Sequence, residues 1–458
     1  MQQTQSESRC PSIYMVMLMV MVTGLTACAG AALPPVPGAA DPQGDESAAI
    51  EPEYAAAVER IASEARVQRA FRTIEELEPR TMEHLIRLTE IPAPPFMEQA
   101  RAEHYLALLA EAGADSVFID EVGNAIGIRR GASAGAGDPL VLSGHLDTVF
   151  PEGTDVMVRM RGDTLYAPGV GDDTRGLVVV LTVLRSLEAA GIRTEKDVWF
   201  VGTVGEEGLG DLRGVKHLFR EGAPAIGAFI SVDGAGGGRV VNRALGSRRY
   251  RTTFTGPGGH SWGAFGLANP SHALGRAINL FDDAATNFVS TGPRTSYNVG
   301  VIGGGTSVNS IPFEAWMEVD MRSVDAGRLM QIDSIFRATA QAALQEHNET
   351  RARGAALSLD LDLVGDRPSG AIAPDNPLVQ HALASLSYLR FTTSLAISST
   401  DSNVPISLGI PAVTVSGGGE GGNAHSLDEW WLNVEGYRAI QSTLLLVLAH
   451  AGLADAAR

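Results

Sequence analysis

Histidines and acidic residues that could bind a metal follow short apolar or glycine-rich segments of the sequence. They are His145 and Asp147 after PLVLSG, Asp172 and Asp173 after APGVG, Glu206 and Glu207 after DVWFVGTVG, Asp233 after AFISV, and His425 beyond AVTVSGGG. Imidazole and carboxylate ligands without thiolates suit zinc, manganese or cobalt in a hydrolytic site. Several carboxylates brought together would repel each other unless cations neutralised them.

Taken singly, each of these signals has a simpler explanation. A His-x-Asp sequence is usually a hydrogen bond at a strand end, and a Glu-Glu pair usually lies on a solvated face. Asp172-Asp173 could cap a helix, and Asp233 before Gly234 could serve a turn. The conjunction favours a metal site, because such residues occur at the ends of several separate apolar strands.

The elements that must position these residues alternate between apolar strands and helices. After a helical stretch that starts near residue 54, short apolar runs alternate with helical segments such as LVVVLTVLRSLEAAG. This alternation predicts an α/β domain with a mostly parallel sheet and helices on both faces. Parallel strands end at one edge of a sheet, so the candidate ligands would meet there.

A segment over residues 247–365 interrupts this pattern. Its strands and helices follow the order β-α-β-β-α-β, which predicts a ferredoxin-like α+β sandwich. We therefore predict a catalytic domain in two parts, residues 54–246 and 366–458, interrupted by an inserted lid or dimerisation domain over 247–365.

The N-terminal residues predict export. The apolar run over residues 13–22 is too short to span a bilayer but suits a signal peptide. The following LTAC resembles the lipobox of bacterial lipoproteins, in which the cysteine is lipidated. We predict a signal peptide over 1–27, lipidation of Cys28, a flexible tether over 28–53, and an exported, membrane-anchored lipoprotein facing the periplasm or cell exterior. An ordinary cleaved signal peptide and a chance cysteine are the alternatives.

The overall composition argues against nucleic-acid binding and against cysteine-based sites. The 458 residues include 35 Lys and Arg against 53 Asp and Glu, giving a formal net charge of −18. This balance argues against a nucleic-acid partner, which needs clustered basic residues. The two cysteines, Cys10 and Cys28, are too few for a disulfide framework or a cysteine-rich zinc site.

An ordered set of motifs resembles a known enzyme family. From about residue 75 onwards the chain carries, in the family's order, HLDTVFP, APGVGDD, GEEGLGDLRG, SVDG, GPGGHS, GGTSVNSIPFEAWMEVDMR and AHSLDEW. They resemble the co-catalytic di-zinc metallopeptidase family of peptidase T, carboxypeptidase G, aminoacylase and succinyl-diaminopimelate desuccinylase. The resemblance implies a zinc-binding α/β domain with an inserted lid or dimerisation domain.

Carried over by position, the resemblance implies two divalent metal ions, zinc first, with cobalt or manganese as alternatives. His145, Asp172 and Asp233 match the ligands of one metal. Asp172, Glu207 and His425 match those of the other, so that Asp172 bridges the pair.

The same resemblance implies roles for five further residues. Asp147 would orient a ligand histidine, and Glu206 would be the general base that acts on the attacking water. His260 matches the histidine that polarises the scissile carbonyl, which the neighbouring subunit supplies in members that form a homodimer. Asn309 and Arg322 match groups that hold the backbone or carboxylate of the substrate.

Two positions depart from the family pattern. Thr174-Arg175-Gly176 stands where Lys-Gly usually follows the bridging motif, so helix contacts there are expected to differ. Asp233 stands where deacylases and carboxypeptidases commonly have glutamate. In this respect the chain resembles the peptidase T and dipeptidase branch, which favours substrates with a free amino group.

The resemblance implies hydrolysis of amide bonds in short peptides by a metal-bridging hydroxide, as in a di- or tripeptide aminopeptidase. An N-acyl amino acid deacylase or amidohydrolase of the same fold would use the same residues and stays open. A metal-free binding lipoprotein is the remote alternative, against which the intact ligand set argues.

Overall fold

A computed structural model describes residues 49–133 and 137–455 of the chain. The predicted signal peptide over 1–27, the predicted lipidation site Cys28 and most of the predicted tether over 28–53 lie outside these residues. The described part of the tether is attached to the domain, because the Gln380 side chain bonds the Ala49 carbonyl and the Glu51 amide. Within the described residues, no helix has both the length and the apolar character needed to cross a bilayer.

Helices occur throughout the described chain. They are α1 (Pro52–Ser63), α2 (Ala65–Glu76), α3 (Glu78–Thr89), α4 (Gln99–Glu111), α5 (Thr174–Ala189), α6 (Arg213–Leu218), α7 (Pro270–Val289), α8 (Ala326–Thr350), α9 (Pro377–Tyr388), α10 (Asn403–Ser407) and α11 (Tyr437–Ala451). Helix α5, which follows the candidate ligands Asp172 and Asp173, is mostly apolar, and 13 of its 16 residues are buried. A helix with so much buried apolar surface belongs in the interior, and α5 packs against the central sheet.

Within residues 49–133 and 137–455, the strands form one large sheet and three small ones. They are β1 (Ser116–Ile119), β2 (Ala125–Arg129), β3 (Leu140–His145), β4 (Arg159–Arg161), β5 (Thr164–Tyr166), β6 (Val198–Thr203), β7 (Ala228–Val232), β8 (Arg239–Ala244), β9 (Gly246–Thr255), β10 (Gly259–His260), β11 (Thr295–Gly304), β12 (Ser310–Ile311), β13 (Glu314–Ser323), β14 (Ser358–Arg367), β15 (Gly370–Ala371), β16 (Ser394–Ser398), β17 (Ala412–Val415), β18 (Glu420–Gly422) and β19 (Trp430–Leu432).

The large sheet has the strand order β1-β2-β6-β3-β7-β17-β8-β15, with β16 beside β8. Its four central strands, β6, β3, β7 and β17, run parallel, whereas β1, β2 and β15 pair antiparallel. Every residue of β3 and β7 is buried, so both faces of the sheet are covered. The predicted α/β fold is confirmed, with its parallel pairing concentrated at the centre.

The insertion forms a separate four-stranded antiparallel sheet in the order β11-β13-β9-β14, with α7 and α8 packed on it. This is the predicted ferredoxin-like arrangement. Burial alternates strictly along β13, so that Ala315, Met317, Val319 and Met321 face a second apolar core. The intervening residues, including Asp320 and Arg322, lie on the opposite face of the sheet.

Candidate metal centre

The candidate ligands lie at the edge where the central parallel strands end. His145 is the last residue of β3, Asp233 follows β7 directly, and Glu206 and Glu207 follow β6 after a short turn. Because β3 is parallel to both β6 and β7, their carboxyl ends share one edge of the sheet. Asp172 reaches the same place from the turn before α5.

Asp172 stands between the two histidines. Its Oδ1 lies 3.0 Å from His145 Nε2, and its Oδ2 lies 3.1 Å from His425 Nε2. His425 Nε2 is also 2.9 Å from Glu207 Oε1. One carboxylate oxygen directed at each imidazole is the arrangement expected of an aspartate shared by two cations.

Ligand atoms converge in three groups, each within 4.8 Å: His145 with Asp172 and Asp233, Asp172 with Glu207 and His425, and His145 with Glu206 and Glu207. The first two are the ligand sets that the resemblance implied. These oxygen and imidazole donors fit zinc, manganese or cobalt. The third group shows that the Glu206 carboxylate is also within reach of a cation.

The electrostatics of this cluster favour bound cations. Burial and the nearby Asp172 raise the pKa of Asp233 to about 7. Hydrogen bonds from His425 to Asp172 and Glu207 raise the pKa of that imidazole to about 10. These raised pKa values mean that Asp233 and His425 retain protons, which offset the negative charge of the neighbouring carboxylates. Divalent cations bound there would replace those protons.

Asp147 is fully buried and positions its neighbours in two ways. Its carboxylate accepts the amide hydrogens of Glu206 at 3.0 Å and Glu207 at 2.7 Å. Its backbone carbonyl, rather than its carboxylate, lies 3.0 Å from His145 Nδ1, whereas Oδ1 is 3.8 Å away. The carboxylate therefore fixes the Glu-Glu turn, and the carbonyl orients the imidazole.

Two acids shape the turn that carries Asp172. Asp173 caps α5 by accepting the Gly176 amide, and it also accepts the His145 amide. Glu429 was not among the residues selected from the sequence, although it lies within the motif AHSLDEW. Its buried carboxylate accepts the amides of Gly169, Gly171 and Asp172 at 2.8–2.9 Å. Burial raises the pKa of Glu429 to about 7.

The departure at Arg175 has a structural explanation. Its buried guanidinium donates to the carbonyls of Gly417 at 2.7 Å and Gly436 at 2.9 Å, and it stacks on the Trp431 ring. Arg175 thus ties α5 to the C-terminal segment on which His425 is carried.

A cavity of about 250 Å³ opens over the ligand cluster and is rich in arginine. Arg322, selected from the sequence, lines it together with Arg249 and Arg367, which were not selected. Asp320 accepts from Arg322 Nε at 2.7 Å and from Arg249 Nε at 2.9 Å, so two guanidinium groups share one carboxylate. These two arginines, which form what we call the arginine wall, leave a net positive charge in a cavity that the acidic ligands also line.

His260 and Asn309 lie elsewhere. They occupy the paired strands β10 and β12 and the turn before β12, where the Ser261 amide donates to the Asn309 carbonyl at 2.9 Å. His260 is exposed, and its Nδ1 accepts from the amides of Trp262 and Gly263. Among the described residues that line the cavity, neither of these two occurs.

Comparison with known proteins places this geometry in a family. The sequence model of Peptidase family M20/M25/M40 matches residues 141–449, more than half of the chain. Carboxypeptidase G2 from Pseudomonas sp. is 28% identical over 195 residues, which are 41% of this chain and 45% of that protein. The match thus spans less than half the length of that relative.

Solved structures show the same fold. The aminopeptidase PepT from Bacillus cereus superposes with a TM-score of 0.62 at 20% identity, covering 81% of this chain and 98% of PepT. An amidase of the hydantoinase/carbamoylase family from Burkholderia vietnamiensis gives a TM-score of 0.61 at 18% identity, covering 81% and 97%. The chain therefore belongs to peptidase family M20/M25/M40 and is a metal-dependent hydrolase.

Proposed function

We propose that this protein is an exopeptidase that hydrolyses an amide bond of short peptides with two zinc ions. The observation that carries the proposal is the position of Asp172, whose two carboxylate oxygens each lie about 3 Å from a different histidine. His145, Asp172 and Asp233 would hold one ion, and Asp172, Glu207 and His425 the other. Cobalt and manganese are alternative metals for the same donors.

The chemistry of the chain's own residues follows from their positions. When bound, two cations acidify the attacking water and stabilise the charge that develops on the carbonyl oxygen. Glu206, beside the cluster and inside the cavity, accepts the proton of the attacking water and passes it to the leaving amine. Asp147 keeps Glu206 in place by accepting its backbone amide.

The arginine wall supports a substrate with a free carboxylate near the scissile bond. Arg322 and Arg249 share the single charge of Asp320, which leaves a net positive charge for an anionic group. Short peptides satisfy this requirement. N-acyl amino acids also satisfy it, so a deacylase is the second candidate function.

The test is a substrate panel on the metal-loaded enzyme. Dipeptides and tripeptides are compared with N-acyl amino acids of matched side chains, with amine release as the readout. We expect the peptides to be preferred and chelation to abolish turnover, with zinc restoring it. Preference for N-acyl amino acids would establish the second candidate, and full turnover after verified metal removal would refute both.

We also propose that His260 of the partner subunit completes the site in a homodimer. This is supported by the position of His260 on an exposed two-residue strand outside the cavity of its own chain. An added hydrogen-bond donor there would stabilise the negative charge of the tetrahedral oxygen. Asn309, in the turn just before the paired strand β12, would contact the substrate backbone from the same side.

For localisation, we propose an exported lipoprotein anchored through Cys28. The support is the apolar run over residues 13–22 followed by LTAC. Cys28→Ser, expressed in a bacterial host, should move the protein from the membrane fraction to the soluble fraction. Unchanged membrane association of this variant would refute the anchor.

A further inference from the structure

Arg367 is buried beside the candidate base. It is the last residue of β14, where the chain returns from the inserted domain, and it is 5% exposed. Its Nη1 donates to Glu206 Oε1 and to Ser399 Oγ, both at 3.2 Å, and its Nη2 donates to the Glu206 carbonyl. One guanidinium therefore holds both the side chain and the backbone of Glu206.

The backbone next to Arg367 is held in place. Asn403, fully buried at the start of α10, donates to the Leu245 carbonyl at 2.9 Å and to the Pro368 carbonyl at 3.1 Å. These two carbonyls belong to the segments by which the chain enters and leaves the inserted domain. The backbone from which Arg367 extends is thus tied to α10, and its guanidinium is bonded to Ser399 as well as to Glu206.

The two adjacent glutamates differ in their partners. Glu207 Oε1 lies 2.9 Å from the candidate ligand His425, whereas Glu206 Oε1 accepts from Arg367. Both carboxylates are nevertheless close enough to His145 to bind a cation with it. A carboxylate oxygen that already accepts from a guanidinium is a weaker metal ligand, because its electron density is committed to the hydrogen bond.

We propose that Arg367 is a positioning residue that keeps Glu206 out of the metal coordination and available for proton transfer. The proposal rests on the function of Glu206 given above. On this proposal, Glu206 and Glu207 have different roles because Arg367, 161 positions after Glu206 in the sequence, bonds only the first of them. The group acts through Glu206 and needs no contact with the substrate.

The test is a double-mutant cycle on the full-length, zinc-loaded enzyme. Arg367→Met should lower kcat by roughly 10- to 100-fold, since a base displaced by about 1 Å loses about that much. KM should stay within about twofold, and metal content should be unchanged or higher. Arg367→Lys should regain part of kcat and replaces Arg367→Met in the cycle if the latter does not fold.

The decisive comparison uses Glu206→Gln as background. If Arg367 acts only through Glu206, then Arg367→Met in that background should change the residual kcat by less than about twofold. Arg129→Met is the matched control, because Arg129 is equally buried but pairs with Glu188 at 3.0 Å, away from the cavity. Its effect on kcat should be small and the same in both backgrounds.

The outcomes separate the two proposals. Equal losses from Arg367→Met in the wild-type and Glu206→Gln backgrounds, or loss of metal from Arg367→Met, would overturn the positioning role and leave the proposed function intact. Full kcat in Glu206→Gln alone would instead overturn the proposed role of Glu206.

Discussion

The edge of the central sheet and the exposed strand pair β10-β12 of the inserted domain carry functional candidates in opposite ways. His145 and Asp233 are anchored by fully buried strands, and Asp147, Asp173 and Glu429 bond to the backbone around them. His260 stands on a two-residue strand beside Trp262, which is 87% exposed. The candidate metal ligands are brought together within one chain, whereas His260 lies outside the cavity of its own chain.

The largest effects are expected when each of the two adjacent glutamates at the sheet edge is replaced by glutamine in turn. Glu206→Gln should keep its metals and bind substrate but lose about 100- to 10,000-fold in kcat, the usual contribution of a general base. Glu207→Gln should instead lower the metal content, because Glu207 contacts His425. Metal stoichiometry beside kcat decides the roles, and the opposite pattern would reverse them.

Mixing of two inactive variants tests whether the partner subunit supplies His260. His260→Ala should lower kcat by roughly 100- to 1,000-fold, as for loss of one donor to the oxyanion. A mixture of His260→Ala and Glu206→Gln proteins should regain activity, because one site of the mixed dimer receives an intact His260. No recovery, with mixed dimers verified, would show that the partner subunit does not supply this residue.

The arginine wall lines the same cavity as the candidate ligands, and its contribution should be specific to substrate charge. Arg322→Met should raise KM by roughly 10- to 100-fold for a dipeptide with a free carboxylate. The corresponding amide should be unaffected. Arg251→Met is the control, since Arg251 lies two residues from Arg249 on β9 but pairs with Glu318 at 2.9 Å outside the cavity. Equal effects on both substrates would refute carboxylate binding.

The smallest effect concerns the stability of the metal-free protein. Asp233 and Glu429 have pKa values of about 7 in the fold, well above those of unfolded carboxyl groups. The folded state therefore binds more protons, so the free energy of unfolding should fall as pH rises from about 5 to 8. Urea titrations of chelated protein would measure this slope, which zinc should reduce. A chelated protein that gains stability relative to the zinc form over this range would contradict it.

The sequence predicted the large sheet because apolar runs such as LVLSG and AFISV recur between helical segments. It also predicted that acids and histidines would converge, since parallel strands end at one edge. The family resemblance then implied which of them are ligands: His145, Asp172, Glu207, Asp233 and His425. The antiparallel pairing of the outer strands β1, β2 and β15 could not be predicted, because an apolar run does not specify the direction of the strand beside it.

Residues whose role depends on contacts with distant parts of the chain could not be recognised from the sequence. Arg249 and Arg367 occur in ordinary strand sequences, and only the packing of the inserted domain directs them towards the cavity. Glu429 bonds to main-chain amides, which leave no pattern of residue types. The carbonyl of Asp147 is likewise invisible in a sequence, so its carboxylate was assigned the contact with His145 that the carbonyl makes.

The hydrogen bonds of Glu429 also have a consequence for biosynthesis. They join amides near residue 170 to a carboxylate about 260 positions later in the chain. A growing polypeptide folds from its N-terminal end as it is synthesised, and contacts of such long range form late. The turn that presents Asp172 is therefore set only when nearly the whole chain is available. If the site binds zinc as proposed, its full affinity would therefore require the segment around Glu429 to have packed against this turn.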